Sequence, residues 1–250
     1  MTIDLRLGDY RTVLADVEAV HAVITDPPYT SRVEFGYRSG TMIKNGVAKS
    51  VRKATIPYAA ITEPMAIEFA GWATSKASEW IVAFSDHIGW KWLADAIEGR
   101  GWYVFSPVVW LARNSTPRFC GDGPNDSCEY IVVARPRKVV KVGSLPGYYD
   151  VLRMSHFAGE SETFVGQKPL QLMQAIVRDY TLPGQLVCDP HVGSGSTLLA
   201  SAIEGRRSVG SEIDKATYIK AKMRLSRPIT PRLFHDPEPE PEQLKLGGEP

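Results

Sequence analysis

Two β-branched apolar runs end in turns rich in reactive groups, and this pairing restricts the fold more than any other feature of the chain. The first, Ala22-Val23-Ile24-Thr25, runs into Asp26-Pro27-Pro28-Tyr29. The second, Gln185-Leu186-Val187-Cys188, runs into Asp189-Pro190-His191-Val192-Gly193-Ser194-Gly195. A short apolar run closed by turn residues reads as a buried strand. In an open α/β sheet ligands bind beyond the carboxyl ends of the strands, so both turns fall where such folds do their chemistry.

In the first turn the paired prolines fix two φ angles and remove two backbone donors, leaving a rigid corner rich in acceptors. Asp26 adds a carboxylate, ionised near neutrality unless burial raises its pKa, and Tyr29 adds a flat aromatic face with a polar tip. An exocyclic amino group on a planar base is a partner for that set. Its lone pair is delocalised into the ring and attacks poorly. Acceptors at Asp26 and the Pro27 carbonyl would hold both N–H bonds, favour tetrahedral nitrogen and stabilise the positive charge that grows on it. Asp and Pro are also ordinary turn residues, so the tetrapeptide alone fits a plain turn equally well.

After the second turn, Ser196 to Glu204 reads as a helix stopped at Gly205, followed by a strand at Ser208-Val209-Gly210 with Glu212 at its end and Asp214 just beyond. Glycines at a helix N-terminus let backbone N–H groups approach a ligand closely. Glu212, 19 positions after Gly193, is suited to ribose hydroxyls. A nicotinamide-binding unit has the same outline. Against it, Leu198 stands where a third glycine would fall, and Asp189 would sit poorly beside a pyrophosphate. A sulfonium cofactor bearing an ammonium group tolerates that carboxylate, which favours S-adenosylmethionine.

With these motifs in this order the chain resembles the β class of amino-group DNA methyltransferases, the permuted kind in which Asp-Pro-Pro-Tyr precedes the cofactor loop. Gln167-Lys168-Pro169-Leu170 and Gly8-Asp9 match as well, and the resemblance extends over residues 3–227. It implies an α/β, Rossmann-like methyltransferase fold: a seven-stranded, mostly parallel sheet with one antiparallel strand. It implies catalysis by Asp26, Pro27, Pro28 and Tyr29, and cofactor contacts from Asp9, Lys168, Asp189, His191, Gly193, Ser194, Gly195, Ser196 and Glu212, with no metal. The implied substrate is adenine N6 in double-stranded DNA, the base flipped out of the duplex and stacked on Tyr29. Cytosine N4 is the alternative, since Ser rather than Asp is more usual for it. A nicotinamide oxidoreductase and a catalytically silent DNA-binding module are rivals of other classes. His191 stands where the family usually has Phe, and its titration could make cofactor binding pH-sensitive.

The 250 residues, 44% of them apolar, are enough for one sizeable core and one catalytic domain over residues 1–227. No run of 18 apolar residues and no charged-then-apolar leader is visible, so a cytoplasmic protein without a membrane span is expected; homodimerisation is left open. Cys120, Cys128 and Cys188 have no metal-ligand spacing, and none follows a proline as the carbon-5 cytosine enzymes require. The formal net charge is only +1, but it is unevenly spread. Asp236 to Pro250 carries five acids against one lysine. Ser31 to Lys53 carries six bases against one acid, with three glycines. Residues 31–58 are therefore expected to form a mobile basic loop that neutralises phosphates, and residues 112–127, with Arg113, Asn114, Arg118 and Asn125, a DNA-recognition segment. Residues 228–250, with their Pro-Glu repeat, are expected to be a disordered tail. Elsewhere, strands are predicted at 79–86, 107–111 and 129–134, the last two antiparallel, with helices after Pro64 and at 88–97.

Overall fold

The computed structural model describes residues 2–31, 40–44, 47–51, 59–112, 127–138, 144–152 and 166–227. Its strands are β1 (Ile3–Leu7), β2 (Val20–Thr25), β3 (Gly40–Lys44), β4 (Val47–Val51), β5 (Ala77–Ser85), β6 (Trp102–Val104), β7 (Val108–Leu111), β8 (Cys128–Pro136), β9 (Tyr148–Asp150), β10 (Leu186–Asp189) and β11 (Arg207–Glu212). The helices are α1 (Tyr10–Val13), α2 (Glu63–Lys76), α3 (His87–Glu98), α4 (Leu170–Tyr180), α5 (Ser196–Ile203) and α6 (Lys215–Leu225).

Among the described residues the main sheet runs β1-β11-β10-β2-β5-β8-β7-β9, and β6 pairs with β8 at Ala134 to Pro136, a stretch not used by β7. Only β8 runs against the rest: β1, β11, β10, β2 and β5 are mutually parallel, β8 is antiparallel to β5, β6 and β7, and β9 is parallel to β7. The direction pattern is the expected one, while the strand count is nine rather than seven. The excess comes from short edge pieces: β6 and β9 have three residues each, too few for an alternation to register in the sequence.

Strand periodicity divides the core into two layers, because successive side chains face opposite sides of the sheet. Ala22, Ile24, Trp80, Val82, Phe84, Ile131 and Val133 face one cluster, which α4 covers with Leu172, Met173, Ile176 and Val177. Val23, Ile81, Ala83, Val132 and Ala134 face the other, covered by Phe69, Ala70 and Ala73 of α2 and by Leu93 and Ile97 of α3. At roughly 1.5–3 kcal/mol per fully buried aliphatic or aromatic side chain, these central strands hold their register against a one-residue slip that would invert every face.

The basic segment after the first turn is not devoid of regular structure: β3 and β4 form a separate two-stranded antiparallel sheet, Gly40 paired with Val51 and Lys44 with Val47. The sequence carries a hairpin signal at this point, since Asn45-Gly46 separates the two strands. Residues 113–126, 52–58 and 228–250, the centre of the recognition segment, the end of the basic loop and the tail, lie outside the described residues. No helix of the described residues is long and apolar enough to cross a membrane.

Candidate active site

Strands β10 and β2 lie side by side at the middle of the sheet. From β10 the chain passes through α5 to β11 on one side, and from β2 through α2 to β5 on the other. This divergence is a topological switch point, the place where open α/β sheets bind ligands beyond the carboxyl ends of their strands. The two turns singled out in the sequence lie side by side at this point. Thr25, fully buried at the end of β2, donates its Oγ1 hydrogen to Asp189 Oδ1 at 2.7 Å, tying one turn to the other.

On the β2 side, Asp26 Oδ2 accepts from the Lys168 ammonium at 2.6 Å. The same ammonium is 3.2 Å from Glu129 Oε2, and the Tyr29 hydroxyl donates to that oxygen at 2.5 Å. It also sits 5.1 Å from the centre of the Tyr29 ring and 5.0 Å from that of Phe84. Two carboxylates, one ammonium and one phenol thus share a largely desolvated corner. Burial pushes the Asp26 carboxyl above its usual range, with Lys168 opposing and Glu129 adding to the shift. Burial would lower Lys168, but the two carboxylates outweigh it and hold its pKa up, so the ammonium is charged. Asp26 Oδ1 is buried and, among the described residues, has no hydrogen-bond partner. A buried acceptor without a donor costs on the order of 1–3 kcal/mol, which a ligand N–H would recover.

The turn itself is held from outside. Asp86, after β5, accepts from the Thr30 backbone N–H at 2.8 Å and its hydroxyl at 2.5 Å through Oδ2, while its Oδ1 caps α3 at Ile88 and Gly89.

On the β10 side, Gly193 and Gly195 have φ of +52° and +85°, and the loop between them opens α5. Gly193 N–H donates to Glu212 Oε2 at 2.8 Å, and Asp214 N–H donates to the other oxygen, so Glu212 fastens the loop to β11. Ser194 and Ser196 are buried and bonded within the protein: Arg224 donates to the Ser194 carbonyl at 2.9 Å and to Ser196 Oγ at 3.0 Å, and Ser196 Oγ donates to the Lys168 carbonyl. Lys168 therefore touches both halves, its backbone on the glycine loop and its ammonium on Asp26. Asp189 Oδ1 also accepts from His191 N–H at 3.0 Å, and burial raises this carboxyl to about 6. His191 packs against the rings of Tyr10 and Phe69, with centres 5.2 and 5.4 Å away. Burial lowers it to about 4, so it is neutral throughout the physiological range and does not supply the pH switch its sequence position suggested. Asp9 caps α1, and the Arg11 guanidinium beside it holds its carboxyl below the usual range.

A family model described as DNA methylase matches residues 20–223, more than three-quarters of the chain. The chain belongs to this DNA methylase family. Among curated relatives, the DNA adenine methyltransferase YhdJ of Escherichia coli (strain K12) is 35% identical over 157 residues, 58% of this chain and 52% of that protein. The solved complex of M1.HpyAVI with S-adenosylmethionine superposes with a TM-score of 0.66 at 24% identity, covering 90% of this chain and all of that one. The cytosine-N4-specific PvuII DNA methyltransferase gives 0.67 at 14% identity, covering 90% and 86%. At these identities the likeness to both solved structures is one of fold, and the matching family model itself spans N6 and N4 methylases.

Within this methylase three participants escaped the sequence reading. Glu129 shares the period-two face of Ile131 and Val133, and an acid at an apolar core position is a signal in its own right. Asp86 was visible as a strand end but not as the clasp on Thr30. Arg224, from α6, is brought to the glycine loop only by tertiary packing.

Proposed function

We propose that this methylase transfers a methyl group from S-adenosylmethionine to the exocyclic N6 of adenine in DNA. The observation that carries the acceptor side is Asp26 Oδ1, a buried acceptor with no described partner, in the same turn as the half-buried Tyr29 ring. Asp26 would accept one amino hydrogen of a base stacked on Tyr29 and the Pro27 carbonyl the other, stabilising the charge that forms on nitrogen as its lone pair is drawn out of the ring.

On the donor side, the residues suit S-adenosylmethionine. Asp189 and Glu212 place two carboxylates at the glycine loop, with Asp9 near His191, which favours a cationic ligand over a pyrophosphate. The partly exposed rings of Tyr10, Trp72 and neutral His191 beside it, backed by the buried Phe69, offer flat apolar surface for a purine. When bound, the cofactor supplies a methyl group activated by its sulfonium. The chain's own task is to hold the acceptor nitrogen in line and to keep water out.

The test is methyl transfer from labelled S-adenosylmethionine to duplex DNA, with the digested nucleosides resolved by mass spectrometry. N6-methyladenine is expected. Asp26→Ala should lower turnover at least 100-fold, the scale of losing one preorganised electrostatic contact, with cofactor affinity within several-fold of the parent. Near-parental turnover by Asp26→Ala would overturn the acceptor site. N4-methylcytosine as the product would leave that site intact and overturn the base assignment alone.

A further inference from the structure

Asp26 has two oxygens in unlike settings. Oδ2 is held by the Lys168 ammonium at 2.6 Å, while Oδ1 is buried with no described partner. Lys168 is in turn braced: Glu129 Oε2 lies 3.2 Å behind its nitrogen, and the side chain is only 8% exposed. Glu129 also accepts the Tyr29 hydroxyl, so one carboxylate fixes both the ammonium and the ring of the same turn. We propose that Lys168 and Glu129 are a positioning pair for the transfer reaction. Lys168 keeps the Asp26 carboxylate ionised and reserves Oδ1 for the base, and Glu129 sets the orientation of Lys168 and Tyr29. This rests on the reading of Asp26 as the acceptor of the amino hydrogens.

The charges explain why such a pair is needed. Asp26 is faced by Lys168 from the turn before α4, by Glu129 from β8, by Tyr29 from its own turn and by Asp189 from β10. Lys168 is the cation among them. Desolvation and the neighbouring carboxylates favour a proton on Asp26, and a protonated Asp26 is a poor acceptor for an amino group that is becoming positive. Removing the ammonium would raise the Asp26 pKa further, by the one to three units typical of a carboxylate beside a cation. Removing the Glu129 charge would lower it. A scaffold residue whose loss merely loosens the site has no reason to give opposite signs.

The experiment is the pH dependence of single-turnover methyl transfer for the parent, Lys168→Met, Lys168→Arg and Glu129→Gln, with the 13C carboxyl resonance of Asp26, assigned through Asp26→Asn, titrated in the same proteins without ligand. In Lys168→Met the acid limb and the carboxyl midpoint should both move up by at least one unit, which lowers the rate about tenfold at a pH below the limb. Glu129→Gln should move both down, and Lys168→Arg should return them close to the parent values. Limbs and midpoints that stay in place, or move in the same direction in Lys168→Met and Glu129→Gln, would overturn the proposal. Because Glu129→Gln is near-isosteric, it decides the matter even if Lys168→Met fails to fold. Parental turnover by Asp26→Ala would instead mark a failure of the acceptor assignment, so the two failures are told apart.

Discussion

Burial lowers the His191 imidazole to about 4 and raises the Asp189 carboxyl to about 6, so these neighbours respond to acid in opposite senses. In the unfolded chain His191 binds a proton below its ordinary 6.5, whereas in the folded protein it stays neutral until about 4, so its contribution to stability is lost as the pH falls between those values. Asp189 keeps its proton in the folded protein up to about 6 and gives it up near 3.8 when unfolded; the stability it contributes is present below 3.8 and lost as the pH rises through 6. With each slope near 1.4 kcal/mol per pH unit, the two largely cancel between about pH 4 and 6. His191→Phe removes one side of that balance and keeps an aromatic ring against Tyr10 and Phe69. The variant's melting temperature relative to the parent should rise steadily from pH 7 to pH 4.5, by an amount corresponding to about 2 kcal/mol. A pH-independent difference in thermal melts would show that His191 is not held neutral. The sequence made His191 visible as a departure from a familiar pattern but not the direction of its shift. The rings that desolvate it come from α1 and α2, far away in the chain. Asp26, Asp189 and Glu212 were legible from their positions at strand ends, whereas the pairing of Lys168 with Asp26 and Glu129, which joins three distant parts of the chain, was not.

At the level of elements, two strand-to-helix joints hold the site, and each has one residue on which it depends. Asp86 serves α3 with one oxygen and the end of the Asp26–Tyr29 turn with the other. Asp86→Ala should cost about 1–2 kcal/mol of stability from the lost cap and also lower turnover, because Thr30 and the turn before it lose their anchor. Thermal melts and single-turnover rates on one preparation check both effects, and a stability loss with unchanged turnover would confine Asp86 to capping. In the other joint, Gly210 of β11 passes beneath the glycine loop. A Cβ there would lie 2.5 Å from Val192 Cγ2 and 2.6 Å from the Asp189 carbonyl oxygen, which is backbone and cannot swing aside. Gly210→Ala should therefore destabilise by roughly 1–3 kcal/mol and displace the loop, weakening S-adenosylmethionine binding measured by calorimetry. Unchanged affinity would separate loop from cofactor. The long elements were legible because their residues agree with their environment: β2, β5, β8 and β10 are apolar runs, and α4 is strongly amphipathic. The hairpin of β3 and β4 was legible only in its Asn45-Gly46 turn, because Gly40-Thr41-Met42-Ile43-Lys44 and Val47-Ala48-Lys49-Ser50-Val51 place apolar residues side by side rather than in alternation.

Over the whole molecule the net charge of +1 conceals a separation of sign, with excess base in the segment that follows the Asp26–Tyr29 turn and excess acid from Asp236 onward. If Lys49, Arg52 and Lys53 neutralise phosphates, replacing all three by Ala should flatten the salt dependence of DNA binding by up to about three units of slope and leave sequence preference unchanged. An altered preference with the parental slope would mean that the segment reads bases. The order of strands has a further consequence, in time rather than in space. β2 is completed early in synthesis, yet its neighbour at the middle of the sheet is β10, and β1 waits for β11: Val23 pairs with Cys188, and Leu7 with Glu212. At about 5–20 residues per second, the ribosome leaves β2 without that partner for on the order of ten to thirty seconds. Throughout that interval a largely apolar strand, Val20-His21-Ala22-Val23-Ile24-Thr25, has one edge unpaired, a surface that a holding chaperone would cover, and the distant pairings predict slow folding. The junction of β2 and β10 that would take both reactants is complete only when almost the last strand has been made, so an unfinished chain carries Asp26 but no assembled methyl-transfer site.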